Sequence, residues 1–430
     1  MSLPPPHPWT DNELIGRGIS FRGFALPVSD HPFIIEEGQA DLVRRSVEAA
    51  CAAAERIVDA FPRDPSLRRL FGYDAFQESF ILKDPGYRPL IPLGRWDSFL
   101  FPGGPRFMEY NTDGTAGWHY SAALTKLWRE RHGMPQEDYP LTARLLDTLL
   151  ACFRQWDRRG IERPRIAIVD WAEVGTRSEQ EALAAFFTAS GYPATVEDPR
   201  ALRLAEGSLM GPSGEVNLVY RRVVSEEAFR RAEEIRPFLD GYLENAACFV
   251  GSFRTDPAWS KALFVALSDP AFARILPPPL ASELASCIPW TRLLRPGPVD
   301  HGGEARDMED LLLSNPGEFV LKPVRGYEGR GVVVGPLVPL DTWKEAVREG
   351  ISHGGFLVQE MLRPEPVALQ GGPPRYVQPG LYVLLGRLAG FLARTSATPL
   401  ISPEYPERYC PIGAEIPWAA EEGARGAGEP

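Results

Sequence analysis

Forty glycines and 43 prolines in 430 residues set the tightest limit on what this chain can fold into. Proline fixes φ and removes a backbone donor, and glycine loses the most freedom on ordering. A helical bundle is therefore disfavoured, and short strands, turns and helices in alternation are expected. Helical periodicity persists over residues 38 to 61 (GQADLVRRSVEAACAAAERIVDAF) and again over 141 to 158. Between them, RWDSFLFPGGPRFMEYN (95 to 111) reads as two β runs hinged on Pro102-Gly103-Gly104-Pro105, a hairpin pattern. RIAIVDW (165 to 171), the amphipathic SEQEALAAFFTASGYP and a short TVEDP run begin a βαβ unit. VNLVYRRVV (216 to 224) is expected to join its sheet. Gly-x-Gly-x-x-Gly is absent after the first strand, so this unit carries no dinucleotide fingerprint. Residues 277 to 303, with Pro277-Pro278-Pro279 and Gly302-Gly303, are expected to form a linker or surface insertion. FVLKPV (319 to 324), GVVVG (331 to 335), FLVQEML (356 to 362), LYVLLGR (381 to 387) and LAGFLART (388 to 395) predict antiparallel strands. The fold class read from this order is α/β, of the α+β kind.

Lys+Arg 46 against Asp+Glu 57 leaves a net charge of -11, which argues against non-specific nucleic-acid or anionic-membrane partners. Cys51, Cys152, Cys248, Cys287 and Cys410 lie far apart with no C-x-x-C pair, so reduced thiols are expected and not a disulfide framework or structural zinc. The opening MSLPPPHPWTDNE lacks the basic patch and apolar run of a secretory signal, and no long uncharged apolar stretch occurs further on. A cytoplasmic location without a membrane partner is the expectation; the oligomeric state is left open. The six histidines form no metal-spaced pair, and no Gly-x-Ser-x-Gly elbow is present. Only five of the 46 basic residues are lysine (Lys83, Lys126, Lys261, Lys322, Lys344), so a site that needs an ammonium draws on a short roster.

Four constellations carry chemistry. Arg95-x-Asp97 and Glu109-x-Asn111 each put two side chains on one face of a strand. A three-residue loop sets Asp97 opposite Glu109, a five-residue loop sets it opposite Asn111, and a four-residue loop separates the pairs; an odd-numbered loop is expected. Two carboxylates and an amide oxygen on one face are hard ligands suited to Mg²⁺, although an Arg–Asp pair on a solvated hairpin would read the same way. In FVLKPVRGYEGRGVVV, Lys322 precedes Gly326, Gly329 and Gly331, which can bring an ammonium and backbone N–H groups around phosphate oxygens. Gln359 and Glu360 end an apolar strand, where a nucleotide base or ribose could be read. Arg394 in GFLARTSATP places a guanidinium on a strand, suited to an acyl phosphate or carboxylate.

The order Arg95, Asp97, Glu109, Asn111, then Ser260-Lys261-Ala262-Leu263, then Lys322 in VLKPVRGYEGRGV, then Arg394 resembles the ATP-grasp ligases, and among them the synthetase domain of the glutathionylspermidine synthase family. The resemblance spans about 90 to 415. It implies an ATP-grasp fold with a Rossmann-like unit before it: 1 to 155 as a helical region whose hairpin (95 to 111) joins the site, 160 to 250 as the Rossmann-like unit, and 255 to 420 as the nucleotide-binding region. It implies ATP and Mg²⁺ as cofactors, with Asp97, Glu109 and Asn111 on the metal, Lys261, Lys322, Gly326, Gly329, Gly331, Gln359 and Glu360 on the nucleotide, and Arg95 and Arg394 stabilising charge in the reaction. The implied reaction joins a small-molecule or peptide carboxylate to an amine through an acyl phosphate. The residues that would hold glutathione or a polyamine find no match. A circularly permuted ATP-grasp ligase acting on peptides, suggested by LVYRR (218 to 222), and a non-catalytic ATP-binding or scaffold protein are the alternatives.

Overall fold

The computed structural model describes residues 9 to 134, 140 to 326, 331 to 369, 372 to 398 and 407 to 413. It is a mixed α/β architecture organised around three larger sheets. The first is antiparallel and runs, in spatial order, Arg408–Cys410, Arg387–Ser396, Pro374–Leu384, Leu93–Phe101 and Gly104–Asn111. The hairpin at 93 to 111 thus shares a sheet with strands almost 300 residues later, through Gly380 opposite Asp97 and Tyr382 opposite Arg95. The second sheet is antiparallel, ordered Thr291–Leu293, Phe356–Glu360, Phe319–Pro323 and Val333–Val334. The third is parallel, ordered Cys248–Val250, Leu218–Arg221, Ile166–Val169 and Ala194–Glu197.

Period-two alternation divides the first sheet into two chemistries. Trp96, Phe107, Tyr110, Leu381 and Phe391 point to one side and pack with Val43, Val47, Ala50 and Ile57 of the helix Glu37–Ala60. Trp96 stacks on Tyr110 at 4.0 Å between ring centroids. Their sequence neighbours Arg95, Asp97, Glu109 and Asn111 consequently face the other way. The helices Trp118–Arg131 and Leu141–Trp156 fill the space between this sheet and the parallel one, where Trp118, Leu145, Leu149, Ile168, Tyr220, Tyr382 and Leu392 share a core.

Two expectations are corrected. Residues 277 to 303 are not a linker: Pro278–Leu284 is a helix, and Thr291–Leu293 is a strand of the second sheet. The prolines begin the helix, where their missing N–H has no partner to lose. The hairpin loop is not odd-numbered either, since Phe101 pairs with Gly104 across two residues. The strands nonetheless place Asp97 opposite Glu109 and Arg95 opposite Asn111, because the register shifts at Asp97/Ser98 and leaves Met108 unpaired. A one-residue bulge does what an odd loop would have done. The predicted antiparallel pairing of the last third is observed, although the strand expected at 381 begins at Pro374. Pro379 is tolerated because pairing to the hairpin starts only at Gly380, so its missing N–H breaks no ladder on that side.

Candidate active site

The charged face is not a solvated hairpin surface. Asp97 is 1% exposed and is gripped by two guanidiniums: Arg95 Nε and Nη2 donate to it at 2.6 and 3.1 Å, and Arg394 Nη2 at 2.8 Å. Gly380 makes room for this, since a Cβ there would stand 2.6 Å from Arg95 Cδ and 3.1 Å from Asp97 Oδ1. Burial opposes ionisation of Asp97, but Arg95 and Arg394 outweigh it and hold the carboxyl below its ordinary range. Burial likewise opposes the charge on both arginines, and Asp97 more than restores it. Arg95 Nη1 also donates to the Ala116 carbonyl at 3.0 Å.

The loop carrying Ala116 is held by the C-terminal ends of the parallel strands. Arg221 pairs with Asp113 at 2.6 Å with both side chains fully buried, and Asp113 Oδ2 accepts from Ser225 N at 2.7 Å. Arg222 lies 3.4 Å from Glu179, whose Oε1 accepts from Gly117 N at 2.7 Å. The two arginines of LVYRR are therefore buried in internal ion pairs, out of reach of a docking peptide, although Arg221 Nη2 and Arg222 Nε and Nη1 find no hydrogen-bond partner among the described residues. The parallel unit acts here as the support of a loop in the site.

Beside Asp97 along the same face, Asn111 Nδ2 donates to Glu109 Oε1 at 3.2 Å. Met108, the bulged residue, has a carbonyl free of the hairpin ladder, and Lys322 Nζ donates to it at 3.4 Å. This contact joins the second sheet to the hairpin. Gln359 Oε1 accepts from Lys322 at 2.6 Å, and Gln359 Nε2 donates to Thr291 Oγ1 at 3.0 Å. Burial pushes the Lys322 ammonium down to about 8, with Glu109 supporting its charge and Lys261 opposing it. Lys261 Nζ donates to the Gly326 carbonyl at 2.6 Å, and its backbone N–H to Val324 O at 3.0 Å.

The structure thus brings together Arg95, Asp97, Glu109, Asn111, Lys322, Gln359 and Arg394, with Lys261 and Gly326 at the lysine end. Glu360 turns elsewhere, against His301 at 3.1 Å. Gly331 is described and abuts Pro323; Gly329 lies outside the described residues. Among the described residues no group of three or more His, Cys, Asp or Glu is arranged around a common metal position. Two features escaped the sequence reading. Gln378, opposite Arg394 in register, is buried with its Oε1 unpartnered, and Arg394 Nε is a buried donor without an acceptor. Glu407 also stands 3.7 Å from Arg394 Nη1. Gln378 was hidden because Pro379-Gly380 reads as a strand break.

No protein-family profile matches the chain, and no curated protein matches it by sequence. Among solved structures it is similar to a glutathione synthetase-like effector from Globodera pallida in its apo form, at 11% identity and a TM-score of 0.60, over 93% of this chain and 94% of that one. A second structure, from Methylobacillus flagellatus and provisionally described as a gamma-glutamylcysteine synthetase, aligns over 86% and 88% of the two chains at 11% identity and a TM-score of 0.43, too loose to add weight. The chain therefore shares its overall fold with the glutathione synthetase-like effector. No helix among the described residues is long and apolar enough to cross a membrane.

Proposed function

We propose that this protein is an ATP-dependent carboxylate–amine ligase of the ATP-grasp kind, similar in its site to the glutathionylspermidine synthase synthetases. The observation that carries the reading is the meeting of Lys322 with the hairpin beside Glu109, on the face where Asp97 anchors Arg95 and Arg394. A partly buried ammonium at one end and two fixed guanidiniums at the other suit a polyphosphate whose terminal group is transferred. The fold shared with the glutathione synthetase-like effector agrees with this.

The donor set fits magnesium ATP. Glu109 and Asn111 share a strand face, with Glu109 Oε1 accepting from Asn111 Nδ2, and their remaining oxygens would serve Mg²⁺, which needs few protein ligands beside phosphate oxygens. Asp97 has both oxygens occupied by guanidiniums, so its role in this reading is to hold Arg95 and Arg394 in place. Lys261 and Lys322 would neutralise phosphate charge, with Gly326, Gly329 and Gly331 in the loop beside them and Gln359 orienting Lys322. Glu360, which leaves this face for His301, would reach the nucleotide only at its base or ribose end. Bound magnesium ATP would supply the phosphoryl group that activates the acid. The carboxylate oxygen takes the γ-phosphoryl as ADP departs; the amine nitrogen then bonds to the acyl carbon as phosphate departs, and the amine releases a proton to solvent. Arg394 and Arg95, already desolvated and oriented, stabilise the charge on the acid and the transferred group without reorganising.

The test is ADP release from magnesium ATP in the presence of mixed carboxylates and amines, with Lys322→Met and Glu109→Gln as controls. Acid-dependent ADP release, lowered by about 10²–10³ in the variants, is expected. Absence of both ADP release and nucleotide binding would end the reading. A second reading, a nucleotide-binding protein without turnover, is favoured by the full occupation of Asp97 by arginine; it predicts nucleotide affinity with no product from any acid and amine.

A further inference from the structure

At the arginine end of the charged face lies a cavity of about 560 Å³. That is within the roughly 300–1,000 Å³ typical of sites for small organic ligands. Its lining includes Arg95 and Arg394 and, among the described residues, none of Lys261, Lys322, Glu109 or Asn111. It therefore opens from the reacting end of the site and not from the lysine end.

The walls of the cavity are mainly apolar: Phe21, Leu26 and Pro27 of the N-terminal segment, Tyr120 of the helix Trp118–Arg131, Leu392 and Tyr409. The N-terminal wall is fixed by backbone bonds to the edge strand, Ser29 N to Tyr409 O and Tyr409 N to Pro27 O, both 2.8 Å. The charged groups in the lining are Arg95, Arg394 and Arg408 against Glu407, and Glu407 leans on Arg394 at 3.7 Å. Arg394 Nε is the buried donor left without an acceptor. Such a chamber repels a polyamine and rewards an apolar body in proportion to the apolar area it buries. A positive charge on that body would meet three arginines against the one carboxylate of Glu407, and a further carboxylate would find beyond the Arg95 and Arg394 pair only Arg408, which already donates to the Val28 carbonyl.

We propose that this cavity receives the acid substrate, and that the acid is a monocarboxylate on an apolar body of aryl or branched-alkyl size, its carboxylate turned to Arg394. This rests on the ligase reading above and names the substrate class of that same site. It makes glutathione and acidic amino acids poor acids for this chain, since each carries an ammonium that the excess of arginine in the lining repels.

Hydroxylamine replaces the unknown amine in the test: its nitrogen attacks the activated acyl carbon, phosphate leaves with the C–O electron pair, a proton goes to solvent, and a hydroxamate is measured beside ADP. The acids are 3-phenylpropionate and 4-methylpentanoate against glutamate and glutathione. Hydroxamate from the two apolar acids at a KM at least about ten-fold lower than from the charged ones is expected; Phe21→Ala should raise that KM by about ten-fold, the effect of losing one good apolar contact, and Leu392→Trp should raise it by about as much by filling the cavity. Binding of a non-hydrolysable ATP analogue serves as the folding control for both variants. Preference for glutathione or glutamate, or a KM indifferent to both variants in folded protein, overturns the pocket assignment while leaving the ligase reading standing. Absence of hydroxamate and ADP with every acid sinks both.

Discussion

Replacing Asp97 by asparagine probes the arrangement most sharply. The side chain is 1% exposed and accepts guanidinium bonds of 2.6, 3.1 and 2.8 Å from two arginines of different strands. Asn keeps the shape and one oxygen but removes the charge, so Arg95 and Arg394 face one another with Glu109 and Glu407 as the remaining carboxylates near them. Breaking a buried pair by removing one partner costs about 3–5 kcal/mol, because the other charge is left desolvated. Urea unfolding of Asp97→Asn should therefore begin well below the wild-type midpoint, and Asp97→Asn combined with Arg394→Gln should recover part of the loss. The acid limb gives the sign. The folded-state carboxyl is held below its unfolded value, so its contribution is complete above about pH 4 and disappears as pH falls through the folded value. The variant should lack that acid-dependent component. A loss under about 1 kcal/mol together with abolished Mg²⁺ affinity would make Asp97 a metal ligand instead of an anchor.

Four further outcomes are expected. Lys322 is pushed down to about 8, so affinity for a nucleoside triphosphate should fall with rising pH beyond that value, by up to about ten-fold per pH unit, and Lys322→Met should abolish the slope in a titration at pH 7 to 10. In the ligand-free protein the same depressed value makes stability rise with pH from about 8 towards 10.5, because the unfolded chain then holds the proton that the folded one has lost. Gly380→Ala should lower ADP release by at least about ten-fold with little change in nucleotide affinity, since its Cβ would displace the Arg95 side chain from Asp97 at the reacting end. Ellman's reagent should find no reactive thiol in the native protein and five after denaturation, for all five cysteines are buried and burial pushes Cys51 and Cys152 up to about 12.

The charged face was legible because alternation along a strand is a local rule: Arg95 and Asp97, or Glu109 and Asn111, share a side wherever the strand lies. Their registration was not legible. It depends on the bulge at Met108, and nothing in PRFMEYN marks which residue drops out of the ladder. Scarcity of lysine points to Lys322, but the bridge that the Gln359 side chain makes from Thr291 to Lys322 is not legible in a strand end read only for its approach to a nucleotide. The parallel unit was visible as strands and a helix; its service to the site was not, because Asp113 and Arg221 are more than 100 residues apart and meet only through tertiary packing. The proline-rich segment misled for a related reason: proline at a helix start and proline in a loop have the same composition, and only the helix-forming Leu280-Ala281-Ser282-Glu283-Leu284 beyond these prolines separates the two cases.

The most direct measurement is a crystal structure of the protein with Mg²⁺ and a non-hydrolysable ATP analogue. The triphosphate should lie across Glu109 and Asn111, with Lys322 on its phosphates and its terminal group directed to Arg394. A nucleotide bound away from this face, or Lys322 remote from the phosphates while Arg394 stays closed on Asp97 alone, would contradict it.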